Sequence, residues 1–286
     1  MQKIVNQTIT AIVRREFSRS LRFEDGRPPA LPQAREKLPR LLYLHVPFCE
    51  KLCPYCSFNR FLFDATRCRR YFHALQREIH LYRDRGYDFA GIYVGGGTPT
   101  VMIDELAATL ERARECFSIR EISVETNPNH LTEDRLNILK SAGVNRLSVG
   151  VQSFDDGLLK DVDRLEKYGS GAEVAARLAA IGGRFDTLNA DMMFNFPSQT
   201  PEILARDLDV LMGIGVDQVT YYPLMVSDST RRQVTEKLGE VDYGREEEYY
   251  DRILRRLLPT YRLSSAWCFS RQNGMIDEYI VDYDEY

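Results

Sequence analysis

Three cysteines, Cys49, Cys53 and Cys56, fall within the stretch Cys49-Glu50-Lys51-Leu52-Cys53-Pro54-Tyr55-Cys56. Soft thiolates at this spacing suit an iron–sulfur cluster or a zinc ion. Ser57 and Phe58 follow, so no fourth cysteine lies beside them. A cluster held by three cysteines keeps one iron open to an outside ligand. A structural zinc site wants four protein ligands, usually as two close pairs. Cys68, Cys116 and Cys268 are single and far apart, and His45, four residues before Cys49, is a candidate fourth ligand. The spacing favours the cluster; on these residues alone zinc stays open.

Further residues could take part. The run Gly95-Gly96-Gly97-Thr98-Pro99 allows close backbone approach to a ligand, and its peptide groups and the Thr98 hydroxyl could hold a small zwitterion. It lacks the Gly-Lys-Ser/Thr ending of a nucleotide P-loop. Glu125 and Asp191 could accept from a ribose or an ammonium group. Gln152 and Arg164 offer an amide and a guanidinium for hydroxyls and a carboxylate. Singly, each is equally at home as a cap or a solvated loop residue.

The elements that must position these groups alternate strand and helix. Strands are expected over Leu41–Val46, Gly91–Val94, Glu121–Glu125, Arg146–Val151, Thr187–Phe194 and Gln218–Tyr222. Helices are expected over Asp64–Arg85, Asp104–Phe117, Thr132–Ser141, 157–167, 171–181 and Pro201–Met212, with Thr132 as an N-cap. Helix between every two strands implies parallel pairing with right-handed crossovers. Functional groups then belong at the C-terminal strand ends. The cysteine loop, the triple glycine, Glu125, Gln152, Asp191 and Tyr221–Pro223 all fall there.

Outside this core, residues 1–22 read as an amphipathic helix with Ile4, Ile9, Ile12, Val13 and Phe17 apolar. Its Arg14, Arg15, Arg19 and Arg22 read as a solvated face, or as a contact to substrate carboxylates or an acidic electron donor. Residues 25–40, with Pro28, Pro29, Pro32 and Pro39, read as a linker. A helix over 244–257 follows the core. The expected organisation is 1–40 as helix and linker, 41–226 as the core, and 227–286 as the start of a C-terminal domain.

Bulk properties narrow the function. The chain has 286 residues and a net charge of −4, which argues against a general nucleic-acid binder. It carries no long apolar run for a membrane span and no secretory signal pattern. Six cysteines in such a length are not a disulfide framework; their clustering fits a metal site in a reducing cytoplasm.

The ordered motifs carry a family resemblance. They are Tyr43-Leu44-His45-Val46-Pro47-Phe48-Cys49, the cysteine spacing, Gly-Gly-Gly-Thr-Pro at 95–99, Glu125-Thr126-Asn127-Pro128 and Arg146-Leu147-Ser148-Val149-Gly150-Val151-Gln152-Ser153-Phe154. Over about residues 41 to 225 the chain resembles the radical S-adenosylmethionine (SAM) enzymes. More narrowly, it resembles the family of oxygen-independent coproporphyrinogen III dehydrogenase and its relative, the heme chaperone. The resemblance implies a partial (β/α)6 barrel with an N-terminal helical extension and a C-terminal region cut short at Tyr286. It implies a 4Fe–4S cluster on Cys49, Cys53 and Cys56, with SAM on the open iron. Gly96, Gly97 and Thr98 would contact its methionine part. Tyr43, Tyr55, Glu125, Gln152, Arg164, Asp191 and Met225 align with SAM-contacting positions.

By the same resemblance, a flavodoxin- or ferredoxin-like donor would reduce the cluster. SAM would then yield a 5′-deoxyadenosyl radical that acts on a tetrapyrrole. Coproporphyrinogen dehydrogenation is the leading expectation. The alternatives are a heme-binding chaperone and a radical SAM methyltransferase acting on heme. Phe58 is the departure that matters: the dehydrogenase carries a fourth cysteine there, and the heme chaperone an aromatic.

Overall fold

A computed structural model describes residues 9–10, 12–17, 19, 31–34 and 40–272. The remainder of the expected N-terminal helix, most of the proline-rich linker and residues 273–286 lie outside the described residues. Two compact units divide the chain at Pro32. In the first, the described residues between 9 and 19 are helical, with Ile9, Ile12, Val13 and Phe17 exposed.

Six parallel strands form the second unit's centre: β1 (Leu41–Val46), β4 (Gly91–Gly96), β5 (Glu121–Thr126), β6 (Arg146–Gln152), β7 (Thr187–Phe194) and β8 (Gln218–Pro223). They lie in this order in one sheet. Two short strands between β1 and β4, β2 (Phe48–Cys49) and β3 (Phe61–Leu62), pair with each other. Helices α1 (Ala65–Asp84), α2 (Ile103–Cys116), α3 (Glu133–Ser141), α4 (Asp156–Asp161), α5 (Leu165–Tyr168), α6 (Gly171–Ala180) and α7 (Pro201–Ile214) fill the crossovers. The α/β order expected from the sequence is the order observed.

The strands alternate in chemistry. Leu42, Leu44, Ile92, Val94, Ile122, Val124, Leu147, Val149, Leu188 and Ala190 belong to the apolar core, on the face that meets the helices. The intervening residues form a polar face. Register places Tyr43 beside Tyr93, Glu125 beside Ser148, Ser148 beside Asn189 and Gly150 beside Asp191. Polar groups so buried must find partners. Arg146, fully buried, donates to Gln218 Oε1 and Ser123 Oγ, both at 2.9 Å. Asp191 accepts from Ser148 Oγ and Asn189 Nδ2, both at 2.7 Å. Thr220 Oγ1 donates to Asn189 Oδ1 at 3.1 Å.

Local chemistry sets the element ends. Asp64 caps α1 by accepting from the Arg67 amide at 2.7 Å. Ser170 and Glu173 form a reciprocal capping box on α6. Pro201 opens α7 behind Thr200, and Gly215 ends it in the left-handed region. Thr132 occupies the N-cap position of α3, but its side chain makes no capping bond. Strands β4, β5, β6 and β8 run one or two residues past their expected ends, because pairing continues through Val46–Gly96, Thr126–Val149, Gln152–Met192 and Phe194–Pro223.

Beyond β8 come α8 (Arg231–Leu238) and α9 (Glu246–Leu257). Then β9 (Arg262–Leu263) and β10 (Cys268–Ser270) form an antiparallel edge on β8 that the sequence reading did not foresee. Its short strands flank the Ser264-Ser265 turn, where the Ser264 amide donates to the Cys268 carbonyl at 2.9 Å. Cys268 and Phe269 are buried there. Among the described residues no helix is long and apolar enough to cross a membrane.

Two glycines test this packing. A Cβ on Gly171, at the start of α6, would lie 1.7 Å from the Phe154 carbonyl oxygen. Gly213, inside α7, has open space around it. Gly171→Ala is expected to destabilise the fold by about 2 kcal/mol or more. Gly213→Ala is expected to stabilise it by roughly 0.5–1 kcal/mol. Urea midpoints of the two variants measure both.

Candidate functional site

At the C-terminal strand ends lies one cavity of about 350 Å³. Its wall includes all three residues of the cysteine motif, Cys49, Cys53 and Cys56, together with Tyr55 and Phe58. Gly96, Gly97 and Thr98 line it after β4, and Glu125 and Gln152 at the ends of β5 and β6. Arg164, Asp191 and Met225 complete the set singled out from the sequence. These groups come from one face of successive strands, so that face is concave. Tyr43 is not in the lining. It stacks on Tyr93, 6.0 Å between ring centroids, and the Tyr93 hydroxyl donates to Glu125 Oε1 at 2.7 Å.

The cysteine loop is pinned by its neighbours. Arg60 Nη2 donates to the carbonyls of Cys53 and Cys56 at 2.6 and 2.7 Å. The amides of Gly97 and Thr98 donate to the carbonyls of Val46 and Phe48, both at 2.8 Å. This seam explains the glycines. Gly96 has φ of 114°, and a Cβ there would lie 2.6 Å from the His45 ring. A Cβ on Gly97 would lie 2.7 Å from the Phe48 carbonyl oxygen. The protein's own close approach therefore demands glycine at both positions. The Gly96 amide is also spent, donating to Glu125 Oε2 at 3.2 Å.

A chain of polar side chains links the first two cysteines. The Thr98 side chain stands beside the Cys49 thiol and favours its ionised form. Asn127 Nδ2 donates to Thr98 Oγ1 at 2.8 Å, and Arg164 Nη2 donates to Asn127 Oδ1 at 2.9 Å. Arg164 Nη1 lies 3.7 Å from Cys53 Sγ. Burial opposes the Arg164 charge, but Tyr55, Cys53 and Tyr168 around it hold the guanidinium protonated. Its carbon Cζ lies 4.1 Å from the Tyr168 ring centroid, and its Nε is buried without a hydrogen-bond partner. Burial pushes the Cys49 thiol up to about 11, against the opposing influence of the Thr98 side chain. A bound metal ion would deprotonate a coordinating thiol outright.

His45 does not serve the cysteines. Its Nδ1 accepts from the Tyr43 hydroxyl and its Nε2 faces the Asn59 carbonyl, both at 2.9 Å. With both ring nitrogens engaged, the candidate fourth zinc ligand is withdrawn. No three His, Cys, Asp or Glu side chains among the described residues are placed to hold a single metal ion. Cys68 is buried on α1 and Cys116 half-buried on α2, away from the motif.

Asn127, Arg60 and Tyr168 belong to the site, although sequence reasoning did not select them. Asn127 had a signal: it sits just past a strand end, in the segment after Glu125. Arg60 and Tyr168 had none, because their roles depend on tertiary contacts. Gln152 also carries backbone strain, with φ of 75° at an irregularity in the β6–β7 pairing.

With this geometry the comparisons with known proteins agree. The radical SAM superfamily profile matches residues 43–211. The chain belongs to the radical SAM superfamily, whose cofactors are a 4Fe–4S cluster and SAM. It is 36% identical over 195 residues to the heme chaperone HemW of Bacillus subtilis, covering 66% of this chain and 51% of that protein. It is 32% identical over 192 residues to the oxygen-independent coproporphyrinogen III oxidase of Paracoccus denitrificans, covering 63% and 42%. The structure of coproporphyrinogen III oxidase (HemN) from Escherichia coli superposes with a TM-score of 0.72 at 26% identity, covering 86% of this chain and 58% of that one. The chain spans about half the length of the curated relatives it matches.

Two predictions follow from the loop's supports. Arg60→Met strips charged donors from two loop carbonyls and is expected to cost about 2 kcal/mol in a denaturant titration of the apoprotein. His130, buried behind the loop, has its pKa pushed down to about 4, by burial and by Arg135, against the pull of Glu50. The unfolded chain therefore binds this proton first as pH falls. The stability due to neutral His130 is complete above pH 6.5 and is lost towards pH 4, by up to about 3 kcal/mol. His130→Gln should lose less stability than wild type over that window, measured by urea titrations at stepped pH.

Proposed function

We propose that this chain is the radical-generating core of a tetrapyrrole-handling protein. The observation that carries the reading is the single cavity that gathers the cysteine motif, the glycine turn and the strand-end polar groups. Cys49, Cys53 and Cys56 would hold the 4Fe–4S cluster. The donor set fits: three thiols share one wall, and among the described residues that line it there is no fourth cysteine and no histidine. Gly96, Gly97, Thr98, Tyr55, Gln152, Asp191 and Met225 would contact SAM, with Tyr43 acting through Tyr93. The reduced cluster and SAM together supply a carbon radical able to abstract hydrogen.

The chain's own residues divide the binding work. Amides 96–98 are spent within the protein, so this wall would meet the zwitterion with acceptors. Glu125, a carboxylate in the cavity wall, would take the ammonium. Arg164, with a buried donor left over, would take the carboxylate. Asp191, held by Ser148 and Asn189, would accept from ribose hydroxyls. The Cys53–Arg164–Asn127–Thr98–Cys49 chain fixes these groups before any ligand arrives, which lowers the ordering cost of binding.

Of the three readings of the tetrapyrrole step that the sequence offers, specific observations favour two over methyl transfer to heme. Heme chaperoning is favoured by Phe58 in the cavity wall and by the higher identity to the chaperone relative. Coproporphyrinogen oxidation is supported by the overlap with the oxidase structure. An electron donor of flavodoxin or ferredoxin type would serve either.

The test uses protein reconstituted anaerobically with iron and sulfide and reduced by dithionite. SAM should be cleaved to 5′-deoxyadenosine, and Cys53→Ala should lose at least a hundredfold of that rate. Heme titration should give a saturable spectral shift with no conversion of coproporphyrinogen. Conversion of coproporphyrinogen would select the oxidase reading. A fully loaded protein that neither cleaves SAM nor binds either tetrapyrrole would refute both.

A further inference from the structure

Glu50 lies between the first two cysteines, yet its side chain reaches two other segments, through three residues. Oε1 is 3.0 Å from Nζ of Lys167, on α5. Oε2 accepts from Asn129 Nδ2 at 3.1 Å and lies 3.1 Å from His130 Nε2. Behind the imidazole, Nδ1 is 2.7 Å from the Thr100 hydroxyl, which is 2.7 Å from that of Thr126. His130, Thr100 and Thr126 are buried. A loop carboxylate needed only for solubility would not be joined to a buried imidazole relay.

The partners are informative. Lys167 stands three residues after Arg164, and Asn129 two residues after Asn127. The segments that Glu50 grips are therefore those that supply the inner chain between Cys49 and Cys53. An outer layer, Glu50 with Lys167, Asn129 and His130, backs an inner layer of Thr98, Asn127 and Arg164. Both Glu50 and Lys167 are only about a third exposed, so water screens the pair incompletely.

We propose that Glu50 is the positioning residue of the cluster loop, and that with Lys167 it forms the fixed charge pair that sets the cluster's reduction potential. The proposal rests on the cluster reading above. Fe–S potentials respond to nearby charge and hydrogen bonding, and groups behind metal ligands commonly govern retention. Removing one partner leaves the other charge uncompensated. An unpaired carboxylate disfavours adding an electron to the cluster; an unpaired ammonium favours it.

The experiment compares wild type, Glu50→Gln, Lys167→Met, the double variant and Glu50→Ala, each reconstituted anaerobically with iron and sulfide. Midpoint potentials are read by redox titration followed by electron paramagnetic resonance. Iron loss to a chelator is read by absorbance. Glu50→Gln should shift the potential upward and Lys167→Met downward, with the double variant returning towards wild type. Glu50→Ala should lose iron about tenfold faster or more. Glu50→Gln keeps an acceptor for Asn129, so it should stay near the wild-type rate. Shifts of one sign, or none, in loaded variants would overturn the charge-pair role. Equal iron loss in Glu50→Ala and wild type would overturn the positioning role. A wild-type chain that takes up no iron and sulfide would instead strike the cluster reading itself.

Discussion

The seam between the end of β1 and the glycine turn holds the site together. Two backbone bonds make it, from the Gly97 amide to Val46 and from the Thr98 amide to Phe48, both at 2.8 Å. They fix the residues just before Cys49 against the end of β4. Side chains at 96 and 97 would wedge this seam apart, through the His45 ring and the Phe48 backbone. Once it is closed, Thr98 is delivered to Cys49, and the Asn127–Arg164 relay reaches Cys53. The three-cysteine loop is short and polar, and could not hold such a shape alone. Its form is borrowed from the strand ends around it.

The sheet's two faces explain why those strand ends are available. The outer face is aliphatic and meets the helices, and burying it supplies the main favourable term in folding. The inner face is polar and would be costly to bury unpaired. Arg146, Gln218, Ser123, Ser148, Asn189, Asp191 and Thr220 answer that cost with mutual hydrogen bonds. This lower network gives the cavity a rigid polar floor. Above it, Glu125, Gln152 and Arg164 stand at the cavity wall.

Much of this was legible in the sequence, because strand order and strand-end chemistry are local signals. Alternating strand and helix patterns gave the parallel sheet, and the rule of C-terminal strand ends pointed to Glu125 and Gln152; Asp191, expected at a strand end, sits inside β7 and reaches the cavity from the sheet's polar face. The period-two alternation in Arg146-Leu147-Ser148-Val149-Gly150-Val151-Gln152 would also have shown which residues share the site's face. What stayed hidden depends on contacts distant in sequence. The glycine run reads as a ligand cradle, whereas its steric demand comes from His45 and Phe48. His45 reads as a metal ligand, whereas Tyr43 and Asn59 occupy its ring. Arg60, Tyr168 and the β9–β10 edge gain their meaning only from the folded arrangement.

The central claim is that three cysteines and the surrounding strand ends form one cofactor site with an iron left open to SAM. Electron paramagnetic resonance of the reduced, anaerobically reconstituted protein tests it most directly, alongside metal and sulfide analysis. The account predicts iron and sulfide in equal amounts, and a cluster signal whose g values move on adding SAM. Arg164→Met should need more SAM to produce the same change. Zinc without sulfide, or a cluster signal indifferent to saturating SAM, would contradict it.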